Sequence, residues 1–278
     1  MAVQDARDTT PVLPPRPRKL GRVAGALHGT GEWAEFLGRS LVGTAGTGRY
    51  FSEALRQAAG MVRGTLLLML VMNIFQGMSI GNFGFFLLRA LGAGDFMGLV
   101  SGLIGPRQTA TTMFGYVFCS KICCGITAEI GAMKIQQEID ALESTGVDTM
   151  RYIVGTRMVA VIIFVPIACA IALIGQIIGV YIIVVTVVHG LSGDTLLNLN
   201  WAVQTLNDQL YVLITITVMA ITTAATAMFF GLRTTGGPAA VGSSVAKGIL
   251  VNVVILHVVA AFFAILFYGG NTKLPIGG

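Results

Sequence analysis

Charge is scarce in this sequence, and acid most of all. Thirteen Asp and Glu with eighteen Lys and Arg make up 11% of 278 residues, while 54% are apolar; an ordinary soluble domain carries roughly 25% charged residues. A soluble chain of this length needs a polar surface, and long segments here have nothing to place on one. That excludes a soluble globular protein and leaves an integral membrane protein. None of the acids lies well inside an apolar stretch, Glu129 coming closest. Proton-coupled carriers and intramembrane enzymes place ionisable groups at depth, so both classes are disfavoured.

Catalytic and metal-binding sets are also missing. The four cysteines (Cys119, Cys123, Cys124, Cys169) sit in or at the edge of apolar stretches, and His28, His189 and His257 are scattered far from the Cys cluster. Neither a metal site nor a disulfide is expected from that spacing. No Ser-His-Asp set or catalytic carboxylate pair can be assembled. GTAGTG at 43–48 nearly mimics a phosphate loop, but Arg49 and Tyr50 stand where Lys and Ser or Thr belong. The chain is expected to be noncatalytic, without cofactor. Its net charge of +5 comes from cations in the N-terminal part and short loops, and no basic patch alternates with aromatic residues, which excludes nucleic acid as a partner.

What is present is length and apolarity. Residues 1–25, rich in Pro and Arg, read as a disordered cytosolic tail with no signal peptide. In 26–64, Trp33, Phe36, Leu37 and Leu41, then Phe51, Leu55, Ala58 and Val62 recur at helical spacing among arginines; this predicts an interfacial amphipathic region, broken at 43–48. The remaining 65–278 read as a membrane domain with five spans, at roughly 65–88, 96–120, 153–188, 209–232 and 246–268, each long enough to cross about 30 Å of hydrocarbon. Pro166 predicts a kink or a turn in depth in the third. Ser192 or Asp194 is expected to start a short external helix. Fifteen of the eighteen Lys and Arg fall on one side if the N-terminus is cytosolic, which puts the C-terminus outside.

Between spans two and three runs EIGAMKIQQEIDALESTGVD, 129–148, the most polar insert of the chain. Ile135, Ile139 and Leu142 define one helical face, with Glu138, Asp140, Glu143 and Asp148 off it. Such a cytosolic helix suits a groove on a motor protein. In the first span, Phe75, Met78, Phe83, Phe85 and Phe86 are candidates for an apolar cavity lining, the other reading being core packing or contact with bulk lipid. Arg107, a cation within the second span beside Pro106, is read either as paired structurally or as a contact to a lipid head group.

The stretch TAEIGAMKIQQEIDALESTGVDTMRYIVGTRMVA, Thr127 to Ala160, resembles the MlaE/YrbE permease family, whose pattern runs TAEIG, an acidic helix, then G-V-D-P-x-R and P-R. Thr149 and Thr156 replace the two prolines, and these departures with the basic tail look most like a YrbE subunit of an actinobacterial Mce system. The resemblance implies an all-α fold with an interfacial N-terminal helix, five transmembrane helices and a cytosolic coupling helix at 131–148. It implies a permease subunit of an ABC-type transporter that moves lipids or fatty acids across the inner (plasma) membrane. The partners implied are a cytosolic ABC ATPase dimer, a second YrbE-type permease and MCE-domain proteins on the outer side. The family's R-E-L-G-P has Gly102-Leu103-Ile104-Gly105-Pro106 as its nearest counterpart, without the Arg and Glu, and a nonidentical second chain could supply that pair. The alternatives are a noncatalytic scaffold anchoring the MCE assembly, and a passive channel or secondary transporter.

Overall fold

A computed structural model describes residues 22–45 and 47–269, and every element among them is helical. Helix α1 (Arg22–Ala45) precedes α2 (Thr47–Ala90), α3 (Gly94–Ile135), the short α4 (Glu138–Ser144), α5 (Met150–Val187), α6 (Gly193–Ala202), α7 (Leu206–Leu232) and α8 (Pro238–Tyr268). Five of these, α2, α3, α5, α7 and α8, are long and apolar enough to cross a membrane, so the chain is an all-α integral membrane protein. Helices suit that solvent because each satisfies its own backbone groups. Most of the N-terminal tail lies outside the described residues.

The spans are longer than their apolar cores. After the short 3-10 turn Thr47–Tyr50, the α-helix of α2 runs unbroken from Phe51 to Ala90 over 40 residues, about 60 Å at 1.5 Å per residue. The second half of the amphipathic region is therefore continuous with the first span. Helix α5 continues through Pro166. Helix α6 starts at Ser192, whose hydroxyl accepts from the Thr195 N–H at 3.2 Å, satisfying an end group of the helix as an N-cap does.

Burial identifies the centre. Of the most apolar window of α7, 67% is buried, against 17% in α8 and 22% in α2. Helix α7 achieves this with small side chains: Ala220, Thr223, Ala224, Ala225, Thr226 and Ala227 form a run buried on all sides. The threonine hydroxyls bond back to their own helix, as Thr226 does to the Thr222 carbonyl at 2.8 Å. Helix α1 is held against this centre by the indole N–H of Trp33, which donates to Thr226 at 2.8 Å, and by an ion pair between Glu32 and Arg233.

Helices α2 and α5 meet through glycine. Gly77 on one faces Gly179 on the other, while Gly81 lies against Val180 and Ile183, and Gly175 against Leu70 and Asn73. A Cβ at Gly179 would collide with the Ile74 carbonyl, and one at Gly175 would lie 2.8 Å from the Leu70 carbonyl. In a bilayer, where apolar side chains gain little by leaving lipid, close backbone approach of this kind drives helix association.

Candidate functional site

The polar insert folds as a corner rather than as one helix over 131–148. Helix α3 stops at Ile135, Gln137 takes the left-handed conformation with φ of 61°, and α4 starts at Glu138. The reversal turns the apolar face inward: Ile139 is 2% exposed in the chain's own core, with Leu142 packed against it and Ile135 half-buried. A face free to seat in a partner is thus not what these residues form. The exposed side of the corner carries Glu138, Asp140, Glu143 and Asp148. Asp140 pairs with Lys134 at 2.7 Å and Asp148 with Arg151 at 3.0 Å. Glu143 accepts from the hydroxyl of Thr149 at 2.9 Å, a bond that proline at this position could not donate. Glu138 forms no ion pair among the described residues.

Arg107 is drawn into tertiary structure. It sits on a π-helical segment, Gly105–Ala110, where Pro106 lacks an N–H and the wider turn leaves carbonyls to satisfy. Thr109 and Thr111 hydroxyls donate to the Gly105 and Pro106 carbonyls, each at 2.9 Å. The Arg107 guanidinium donates to Asp208 at 2.9 Å and lies 4.4 Å over the Tyr268 ring, joining α3, α7 and α8. The other Asp208 oxygen accepts from the Thr205 N–H at 3.0 Å and the Thr205 hydroxyl at 2.8 Å, capping α7. Both oxygens are thus engaged. The sequence reading missed Asp208 by assigning it to the loop; Thr205 followed three residues on by Asp is the capping-box signal that could have found it.

The first-span candidates divide. Phe75, Phe83 and Phe86 are exposed and Met78 is half-buried, but Phe85 is buried against Met97, Val180, Val184 and Leu196. Phe85 packs the C-terminal end of α2, with its ring against Gly190.

A second outward-facing feature lies on α3. Gln108, Tyr116 and Ser120 are exposed and Thr112 half-buried, four residues apart and so along one face. Tyr116 shares a hydrogen bond of 2.9 Å with Nε2 of His257 on α8, also exposed. Polar and ionisable side chains within membrane helices face protein or water in preference to hydrocarbon. His257 interrupts an apolar run, a signal visible in the sequence but weighed there only for metal.

A family model described as Permease MlaE matches residues 54–266. The intermembrane phospholipid transport system permease protein MlaE of Haemophilus influenzae is 27% identical over 150 residues, 54% of this chain and 54% of that protein, so the match spans about half of each. A probable ABC transporter permease protein of Synechocystis is 24% identical over 186 residues, 67% of this chain and 70% of that protein. One from Rickettsia bellii is 26% identical over 131 residues, 47% and 49% of the two chains. With more than half of its length matched by the family model, five membrane-spanning helices and the acidic corner that follows TAEIG, the chain belongs to the MlaE permease family.

Proposed function

We propose that this chain is the noncatalytic membrane permease subunit of an ABC-type lipid transporter, with ATP hydrolysis supplied by a cytosolic ATPase dimer. The observation that carries this reading is the α3–α4–α5 corner: an exposed acidic surface rooted through Ile139 in the core, at the ends of two spans. Force on such a surface passes into α3 and α5 because a packed core does not yield locally. The names of the Haemophilus and Synechocystis relatives, a phospholipid transport permease and a probable ABC permease, point the same way.

In this proposal the chain lies in the inner (plasma) membrane with its N-terminus cytosolic and C-terminus outside, as the Lys/Arg asymmetry indicates. A second, nonidentical YrbE-type permease covers the outward face of α3 and α8, where Tyr116 and His257 are poorly suited to hydrocarbon, and MCE-domain proteins receive or deliver lipid on the outer side. The lipid pathway runs between the two permeases, with Phe75, Met78, Phe83 and Phe86 as its apolar contacts.

Copurification of the ATPase with the full complex tests the coupling surface. Glu138→Lys and Ala141→Arg, both at exposed positions, are expected to release the ATPase while the permease remains folded. Undiminished ATPase retention and lipid transport by the paired variant would remove α4 from the coupling role.

A further inference from the structure

We propose that a cleft between α2 and α3, closed at its back by α5, holds the phosphate-bearing head group of an anionic lipid, with the acyl chains left in the bilayer. On the orientation proposed above, the cleft opens at the cytosolic leaflet. None of its lining residues belongs to the Tyr116–His257 pair or to the Arg107 network.

The walls are built of glycine. Gly60 and Gly64 on α2 and Gly125 on α3 line the cleft, and a Cβ at any of the three would meet nothing within 4 Å. This contrasts with Gly77 and Gly179, where the helices touch. The cleft has a volume of about 260 Å³, below the roughly 300–1,000 Å³ of pockets that enclose whole drug-sized ligands. That size suits a head group rather than a whole lipid.

Its polar lining supplies the selectivity. Lys121, at the mouth, is exposed and forms no ion pair among the described residues. Arg157 lies deeper with a side chain only 6% exposed, and donates to Glu129 at 2.7 Å and to the Ile153 carbonyl at 3.0 Å. Glu129 is 62% exposed on its other side, so it offsets Arg157 and leaves the Lys121 charge uncompensated. Lys121, Arg157 and the nearby Arg56 outnumber Glu129 and Glu53, the latter paired with Arg56 at 2.9 Å, which leaves the cleft one net positive charge. Gln57 is engaged behind the lining: its amide nitrogen donates to Glu53 at 3.0 Å, and its carbonyl oxygen is fully buried. An anionic phosphate on Lys121 is the contact this lining favours, which specifies an anionic phospholipid. Met61, Ile122 and Ile126 provide an apolar edge for the glycerol backbone.

Native mass spectrometry of the full-length chain in detergent tests this with three probes: phosphatidylglycerol, phosphatidylcholine and inorganic phosphate. The wild-type chain is expected to retain phosphatidylglycerol about tenfold better than phosphatidylcholine, in line with the strength of a charge-assisted contact. Lys121→Glu is expected to abolish that preference. Gly125→Leu fills the cleft without touching the charges and should displace the lipid equally. Variants that lose binding must keep the wild-type melting temperature, which the exposure of Lys121 and the open space at Gly125 make the expected result. Equal retention of the two lipids by wild type, or unchanged retention by Lys121→Glu and Gly125→Leu, overturns the proposal. Saturation by inorganic phosphate with no lipid preference also overturns it, in favour of a free-anion site. The readout involves neither ATPase nor transport, so its failure leaves the permease reading untouched, and release of the ATPase by α4 variants leaves this site untouched.

Discussion

Arg107 and Asp208, 101 positions apart, join α3 to α7 through a 2.9 Å ion pair whose side chains are 13% and 9% exposed. A pair this desolvated gives little net stability compared with an apolar contact, but removing one partner strands the other. Arg107→Leu is therefore expected to destabilise the chain by about 3–5 kcal/mol, and the double variant with Asp208→Asn to recover a large part of that loss. Thermal unfolding in detergent measures both. If Arg107→Leu unfolds like wild type and only lowers lipid occupancy, the arginine acts on lipid and the ion pair is incidental.

Ile139 separates anchoring from docking. Truncating a buried isoleucine costs about 2–5 kcal/mol, so Ile139→Ala should loosen α4 and expose the 136–148 segment to limited proteolysis, even with no ATPase present. Glu138→Lys, at an exposed position, should leave the proteolytic pattern unchanged. Protection of the Ile139→Ala segment equal to that of wild type would contradict the burial of this side chain.

The fold was legible because it rests on long apolar runs, a property of the one-dimensional sequence. The acidic corner was legible as a polar insert with Ile135, Ile139 and Leu142 in register, but not as a corner. Its direction depends on a single left-handed residue, Gln137, and glutamine gives no signal for that conformation, which glycine or asparagine would have given. Asp208 and His257 were hidden differently. Each needs its partner from another helix, Arg107 or Tyr116, before its role is visible. Phe85 and Phe86 are neighbours in sequence with opposite fates, one buried and one exposed, because the α2–α5 packing angle, set by glycine contacts, decides which face turns inward.

The glycine contacts yield a contrast within one helix. Gly77→Val places a branched side chain against the backbone at Gln176 and Gly179, where neither wall can retreat without separating α2 from α5. Gly60→Ala meets nothing within 4 Å and adds helix propensity of about 0.8–1 kcal/mol. The first variant should lose most folded protein, scored by size-exclusion chromatography, and the second should equal or exceed wild type. Comparable yields from the two would argue that α2 and α5 do not cross at these residues.

Orientation is the step on which the coupling proposal and the leaflet of the lipid cleft both depend, and it can be measured without partner or substrate. Single cysteines at Ala141 and Asp194 report opposite sides, and both positions are exposed, whereas Asn200, in the same helix as Asp194, is 2% exposed and would label poorly on either side. The four native cysteines are first replaced by Ala or Ser; three are buried and Cys124 partly so, so the background variant must be checked for folding. In intact cells an impermeant maleimide is expected to label the Asp194→Cys chain and to spare Ala141→Cys until the membrane is opened. Labelling of Ala141→Cys alone would invert the chain, put α4 out of reach of a cytosolic ATPase and move the lipid cleft to the outer leaflet. The Lys/Arg count predicts the first outcome because translocating a cationic loop against the positive-inside bias is unfavourable, and the long loop that carries Asp194, residues 188–205, contains no Lys or Arg at all.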